Sequence, residues 1–113
     1  MKGNLLGLLG ICRKAGKLKL GFDPAAASLG RDAQLLLFAA DVSPKTKMRM
    51  LKKAEGFAIK SIDMAETSDA VYYAIGKRVA VMAVTDKGLA ERAAALHNAG
   101  EQAVKNSDDA ASG

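Results

Sequence analysis

The sequence predicts an α/β layered domain in which a small, largely parallel or mixed sheet lies between helices. Two observations lead there. Amphipathic and apolar segments alternate along nearly the whole chain, reading as five helices separated by four strands. Two of the strand-length runs, Leu35-Leu36-Leu37-Phe38 and Val79-Ala80-Val81-Met82-Ala83-Val84, are apolar throughout, the pattern of strands covered on both faces.

Leu5, Leu8, Leu9 and Cys12 recur at intervals of three and four, which is one face of a first helix. Asn4 is placed to cap it, Arg13 and Lys14 favour its C-terminal dipole, and Ala15-Gly16 ends it. Cys12 belongs to the buried stripe as a small core hydrophobe. Leu18-Lys19-Leu20 alternates as a short half-buried strand does. Asp23 then offers an N-cap and Pro24 the first position of a helix from Ala25 to Leu29, stopped by Gly30. Gln34 to Ala40 forms the second strand.

Ser43-Pro44 starts a helix over Lys45 to Glu55, with Met48, Leu51 and Ala54 expected inward. Lys45, Lys47, Arg49, Lys52 and Lys53 then face solvent, and Gly56 ends the helix. Ala58 to Ile62 reads as a third strand. Thr67 or Ser68 caps a fourth helix that turns Val71, Ala74 and Ile75 inward and closes at Gly76. Val79 to Val84 is the fourth and central strand. Thr85 or Asp86 caps a last helix with Leu89, Ala93 and Leu96 on one face. Residues 99–113, rich in Gly, Ser, Asp and Ala, are expected to be a disordered tail, leaving one domain over residues 1–98.

The 113 residues suffice for an ordinary core without metal or disulfide, and Cys12 alone cannot form an internal disulfide. The apolar N-terminal stretch is closed early by Arg13 and Lys14 and lacks a small-residue cleavage pattern, so a secretion signal is not expected. No run approaches the ~20 apolar residues of a membrane span. A reducing, cytoplasmic setting is the expectation. The net charge of +5 conceals an asymmetry: residues 1–60 carry twelve Lys and Arg against four acids, whereas residues 61–113 carry five against eight. One positive half suggests a phosphate-rich partner met by one face.

No catalytic constellation is visible. His97 is the only histidine, no Cys/His cluster has metal spacing, and Gly7 and Gly10 lack the preceding strand and Gly-Lys-Ser/Thr ending of a phosphate loop. The reading is non-catalytic, with no cofactor and no metal. Nucleic-acid binding has more support. Sheets of this class place ligands at strand carboxyl ends, here Gly21-Phe22-Asp23, Asp41-Val42-Ser43 and Thr85-Asp86. Helix N-termini after Gly21 and after Asp41 offer N–H groups to phosphate oxygens, with Lys17, Lys19, Lys45 and Lys47 close by in sequence. Phe22 has two readings of equal standing: a platform for an unstacked base, or a staple against the following helix. Tyr72 and Tyr73 adjoin in one helix, so one is expected in the core and the other outside, able to reach RNA beside Ile75-Gly76-Lys77-Arg78.

Three blocks, in order, resemble the small bacterial YlxQ-like proteins. They are Leu8-Leu9-Gly10-Ile11-Cys12-Arg13-Lys14-Ala15-Gly16-Lys17-Leu18, then Leu36-Leu37-Phe38-Ala39-Ala40-Asp41-Val42-Ser43-Pro44-Lys45-Thr46-Lys47, then Tyr73-Ala74-Ile75-Gly76-Lys77 before Val79-Ala80-Val81. The resemblance spans roughly residues 5 to 97. It implies the superfamily of ribosomal proteins that bind kink-turn RNA, and hence a three-layer α/β/α sandwich with a four-stranded mixed sheet. It further implies RNA contact through Gly21 to Ala25, Asp41 to Pro44 and Val71 to Lys77. Kink-turn binders follow the glycine with Asn-Glu or Lys-Gln and place a lysine further along the helix. This chain has Asp23-Pro24 there, then Ala25-Ala26-Ala27-Ser28, and Tyr72 where the last signature has glycine.

The expectation is therefore a non-catalytic binder of structured, kink-turn-like RNA, ribosomal or other, associated with the ribosome. Lys17, Lys19, Lys45, Lys47 and Lys77 would position phosphates, Phe22 and Ile75 would meet unstacked bases, and Gly21, Asp23, Asp41, Ser43 and Gly76 would complete the RNA-binding set. The alternative is an adaptor that docks an acidic protein on the same fold.

Overall fold

The computed structural model describes residues 4–98; the expected tail, 99–113, lies outside the described residues. The elements run α1 (Leu5–Lys14), β1 (Leu18–Leu20), α2 (Phe22–Ser28), β2 (Leu35–Phe38), α3 (Pro44–Ala54), β3 (Lys60–Asp63), α4 (Ser68–Ile75) and β4 (Val81–Val84). A fifth helix, α5, follows over 87–98. The four strands form one mixed sheet in the order β1-β4-β2-β3. β4 is antiparallel to both β1 and β2, while β2 and β3 are parallel.

Strand periodicity splits the core into two layers. Leu35 and Leu37 of β2, with Met82 and Val84 of β4, pack under Leu5, Leu8, Leu9 and Cys12 of α1, Val71 and Ile75 of α4, and Ala90 and Ala93 of α5. Leu36 and Phe38, with Val81 and Ala83, face the other way onto Ala25 of α2 and Met50 of α3. This is the α/β/α sandwich. All four β2 side chains and all four β4 side chains are buried, and each large one contributes about 1.5–3 kcal/mol on leaving water. Cys12 is wholly buried in the first layer, and that burial raises its thiol pKa above the ordinary value.

Most helix starts follow the sequence signals. The Asn4 side chain accepts from the Gly7 N–H at 2.6 Å, that of Ser43 from Thr46 at 3.1 Å, and that of Asp86 from Leu89 at 2.8 Å. Thr67, rather than Ser68, caps α4. The start of α2 differs from expectation: Gly21 is the N-cap, and Asp23 and Pro24 lie inside the first turn. The reason is that the first intrahelical acceptor is reached by Ala25, whose N–H bonds to the Gly21 carbonyl at 3.1 Å. Pro24 thus occupies the last position at which a missing N–H costs nothing.

Two helical faces also differ. In α3 only Met50 is buried, while Met48 and Leu51 face solvent. The inward register sets Met50 and Ala54 beneath the helix, and the Lys47 ammonium lies over the Phe38 ring, 5.8 Å from its centroid. In α4, Val71 and Ile75 are buried but Ala74 is exposed. β3 begins later than expected because Ala58 adopts φ 50, a turn conformation. β4 begins at Val81, two residues after its apolar run starts.

Among the described residues no helix is long and apolar enough to cross a membrane. Gly30, in the turn after α2, has φ 75, and a Cβ there would lie 2.7 Å from the half-exposed Phe57 ring of the loop after α3, which can swing aside. Gly30→Ala is therefore expected to lower unfolding free energy by about 1–2 kcal/mol, from left-handed strain. Urea denaturation with an unchanged slope would check it.

Candidate nucleic-acid interface

The sheet topology decides which junctions can meet. Because β4 is antiparallel to β1 and β2, the carboxyl ends of β1, β2 and β3 share one end of the sheet with the amino end of β4. Three backbone bonds close that end: Gly21 N–H to Val81 at 2.9 Å, Ala39 N–H to Ala80 at 2.9 Å, and Met64 N–H to Phe38 at 2.8 Å. The β1–α2 junction, the β2–α3 loop, the start of α4 and the α4–β4 loop are gathered there. Adjacent strands are about 4.8 Å apart, so the rim is about 14 Å wide from β1 to β3.

Thr85-Asp86, grouped by sequence with the other two strand-end junctions, belongs to the opposite end of the sheet. Thr85 N–H bonds to the Lys17 carbonyl at 2.9 Å and Gln34 N–H to Val84 at 2.8 Å. Lys17 goes with it, roughly 13 Å along the strand direction from Gly21 at the ordinary rise per residue. Lys17 is near the junction in sequence and away from it in space. Lys19, opposite Ala83 on the edge strand, is exposed on the α2 side of the sheet.

Gly21 makes the junction possible. Its φ of 98 and ψ of 165 lie in a region essentially reserved for glycine. The turn sends the chain from the strand directly into α2. Phe22 is half-buried and packs against the second core layer, and the Arg49 guanidinium lies 4.6 Å from its ring centroid. Phe22 therefore does have a core to enter, and one aromatic face is already taken. Asp23, exposed in the first turn, is favourably placed for the α2 dipole.

In the β2–α3 loop, Asp41 is committed to the fold. Its carboxylate accepts from the Ser68 N–H at 2.8 Å and the Ser68 hydroxyl at 2.6 Å, tying this loop to the start of α4. Those two bonds hold its pKa below the usual carboxylate range. Ser43 is likewise occupied as the α3 cap. Lys47 pairs with Asp63 at 2.7 Å, whereas Lys45 is exposed at the helix start. Lys47 of α3 thus reaches to Asp63 of β3 in a solvent-exposed ion pair.

In the α4–β4 loop, Gly76 closes the helix in a left-handed conformation, and a Cβ there would lie 3.6 Å from the Arg13 guanidinium. Lys77 is exposed, and Arg78 folds back to Asp69 at 2.9 Å. Ile75 is buried in the first core layer, so its side chain is not open to a base. Tyr72 and Tyr73 are both exposed, so neither occupies the core as one was expected to. The signal was available. Ser68, Val71 and Ile75 define the buried face at about 100° per residue, which puts Tyr73 nearly opposite and Tyr72 on its flank.

The arrangement has no metal-binding group of three or more His, Cys, Asp or Glu among the described residues. What it offers is a rim of loop backbone with Lys45, Lys77 and the guanidinium of Arg13 around it. No protein-family model matches the chain, and no curated protein matches it. Solved structures do. A protein of unknown function from Bacillus halodurans C superposes with a TM-score of 0.78 at 25% identity, over 86% of this chain and 99% of that one. The 15.5 kD RNA-binding protein of Giardia lamblia superposes with a TM-score of 0.68 at 18% identity, over 84% of this chain and 85% of that one. The fold is shared over 84% to 86% of this chain.

The Asp41–Ser68 link carries a pH signature. A carboxyl held below its ordinary range stabilises the fold while ionised, and that contribution is lost as pH falls through the folded-state value. Below about pH 5, where an unfolded aspartate starts to take up its proton, the wild-type melting temperature should fall more steeply than that of Asp41→Asn. At pH 7 the variant should melt lower. Calorimetry across that range checks both signs.

Proposed function

We propose that this protein is a non-catalytic RNA-binding protein that grips structured RNA at the closed end of its sheet. The observation that carries the reading is the convergence of the β1–α2, β2–α3 and α4–β4 segments on one rim bearing exposed cations. The fold shared with an RNA-binding protein of Giardia lamblia supports RNA as the kind of partner. The resemblance of three sequence blocks to YlxQ-like proteins extends the reading to kink-turn-like RNA, the ribosome and the cytoplasm.

On this account Lys45 and Lys77, with Arg13, neutralise phosphates, while Gly21 and the first turn of α2 let RNA backbone approach closely. The polar pair that reads kink-turn base pairs in the family is replaced by Asp23-Pro24. Pro24 contributes no N–H, and the Asp23 carboxylate accepts hydrogen bonds but repels phosphate. The proposal is accordingly recognition by shape and phosphate position, with weak discrimination among base pairs.

A second reading has its own observation. Met48 and Leu51 are exposed on α3 among Lys45, Arg49, Lys52 and Lys53, a face suited to an acidic, apolar protein segment. Pull-down before and after nuclease digestion separates the two, since RNA-bridged partners disappear on digestion.

The salt dependence of binding tests the leading reading. Affinity for a kink-turn stem should fall linearly on a log–log plot against salt, and Lys45→Ala and Lys77→Ala should each reduce the slope by about one or slightly less. Lys17→Ala, at the far end of the sheet, should leave the slope unchanged. A flat salt response contradicts the reading.

A further inference from the structure

Tyr72 and Tyr73 are the most open aromatic residues of the described chain, 50% and 85% exposed. Their rings stand at 71° with centroids 5.6 Å apart, so the edge of one meets the face of the other in an open corner. The corner is on the last turns of α4, immediately before the loop that returns to the β4 end of the rim. That loop is anchored: the Gly76 N–H bonds to the Tyr72 carbonyl at 2.7 Å, and Arg78 is paired with Asp69 at 2.9 Å.

Two other candidates for holding a base at this end are engaged elsewhere. Ile75 is in the core, and Phe22 is half-buried with Arg49 stacked over it. The tyrosine corner alone combines an open ring face with neighbouring cations, Lys77 in the same loop and Arg13 against Gly76. An aromatic face flanked by positive charge fits a base attached to a phosphate backbone. Bases inside a duplex are stacked on one another and cannot enter it; an unpaired base can.

We propose that the Tyr72–Tyr73 corner takes an unpaired base from a single-stranded segment flanking the structured RNA, stacking it on the Tyr73 ring with the Tyr72 ring as a side wall. The inference rests on the RNA-binding reading and adds a second contact to it. It makes the protein a reader of the boundary between folded and single-stranded RNA.

The test compares the full chain on one kink-turn stem made blunt and made with unpaired uridine extensions at its 5′ or 3′ end. The wild type is expected to bind one extended RNA more tightly than the blunt stem. Tyr73→Ala should lose that advantage, by about five- to 150-fold, and leave binding to the blunt stem unchanged; Tyr73→Phe should retain it. Both side chains are exposed, so the folded state should survive, and an unchanged circular dichroism spectrum verifies that. Equal wild-type affinity for blunt and extended stems overturns the corner's role and leaves the RNA-binding reading standing, as does a Tyr73→Ala loss equal on all stems. Wild-type binding to none of them overturns the RNA-binding reading and the corner with it.

Discussion

The direction of β4 is the constraint on which everything else depends. Lying between β1 and β2 and running against both, it brings its amino end to their carboxyl ends. Three backbone hydrogen bonds then join the first residues after β1, β2 and β3 to their neighbouring strands. If β4 ran parallel, the α4–β4 loop would move to the far end, and Thr85-Asp86 would take its place. The rim that gathers loop backbone and cations is a product of strand direction before it is a product of any side chain.

Several charged residues that look like ligand contacts hold this rim in shape instead. Asp41 bonds Ser68 twice, and Lys47 bridges to Asp63 with its ammonium over the Phe38 ring. Hydrogen bonds to a charged acceptor are worth more than neutral ones, and Asp41 uses them to connect the α3 loop to α4. Arg49 covers Phe22, binding α3 to α2 across their outer surface. The consequence for function is a division of labour. Paired groups fix the loops, and the exposed remainder, Lys45, Lys77, Arg13 and the two tyrosines, is available to a partner.

Local chemistry made much of the fold legible in the sequence. Asn4, Ser43 and Asp86 cap helices because their side-chain oxygens accept from N–H groups three residues ahead, a relation visible in the chain itself. The continuous apolar runs of β2 and β4 marked strands covered on both faces. What was not legible depended on tertiary contact. An all-apolar strand does not announce its direction, so the sequence could not tell that Thr85-Asp86, grouped with the other strand-end junctions, and Lys17, among the expected site residues, lie at the opposite end of the sheet from Gly21. In α3, Met48–Leu51 and Met50–Ala54 are competing apolar pairs, and only packing on Phe38 selects the second. The Asp41–Ser68 link joins residues 27 apart in sequence, and no local pattern predicts it. The burial of Ile75 and the exposure of both tyrosines were present in the α4 periodicity, but adjacency of two aromatics suggested a split between core and surface.

The central claim is that RNA is held at the end of the sheet where β1, β2 and β3 finish and β4 begins. Mapping backbone amide shifts by NMR during titration with a kink-turn RNA tests it most directly. The account predicts shifts concentrated at Gly21, Phe22, Asp23, Val42, Lys45, Gly76 and Lys77, with Lys17, Gln34, Thr85 and Lys87 at rest. Shifts centred on Lys17, Gln34, Thr85 and Lys87 instead would contradict it.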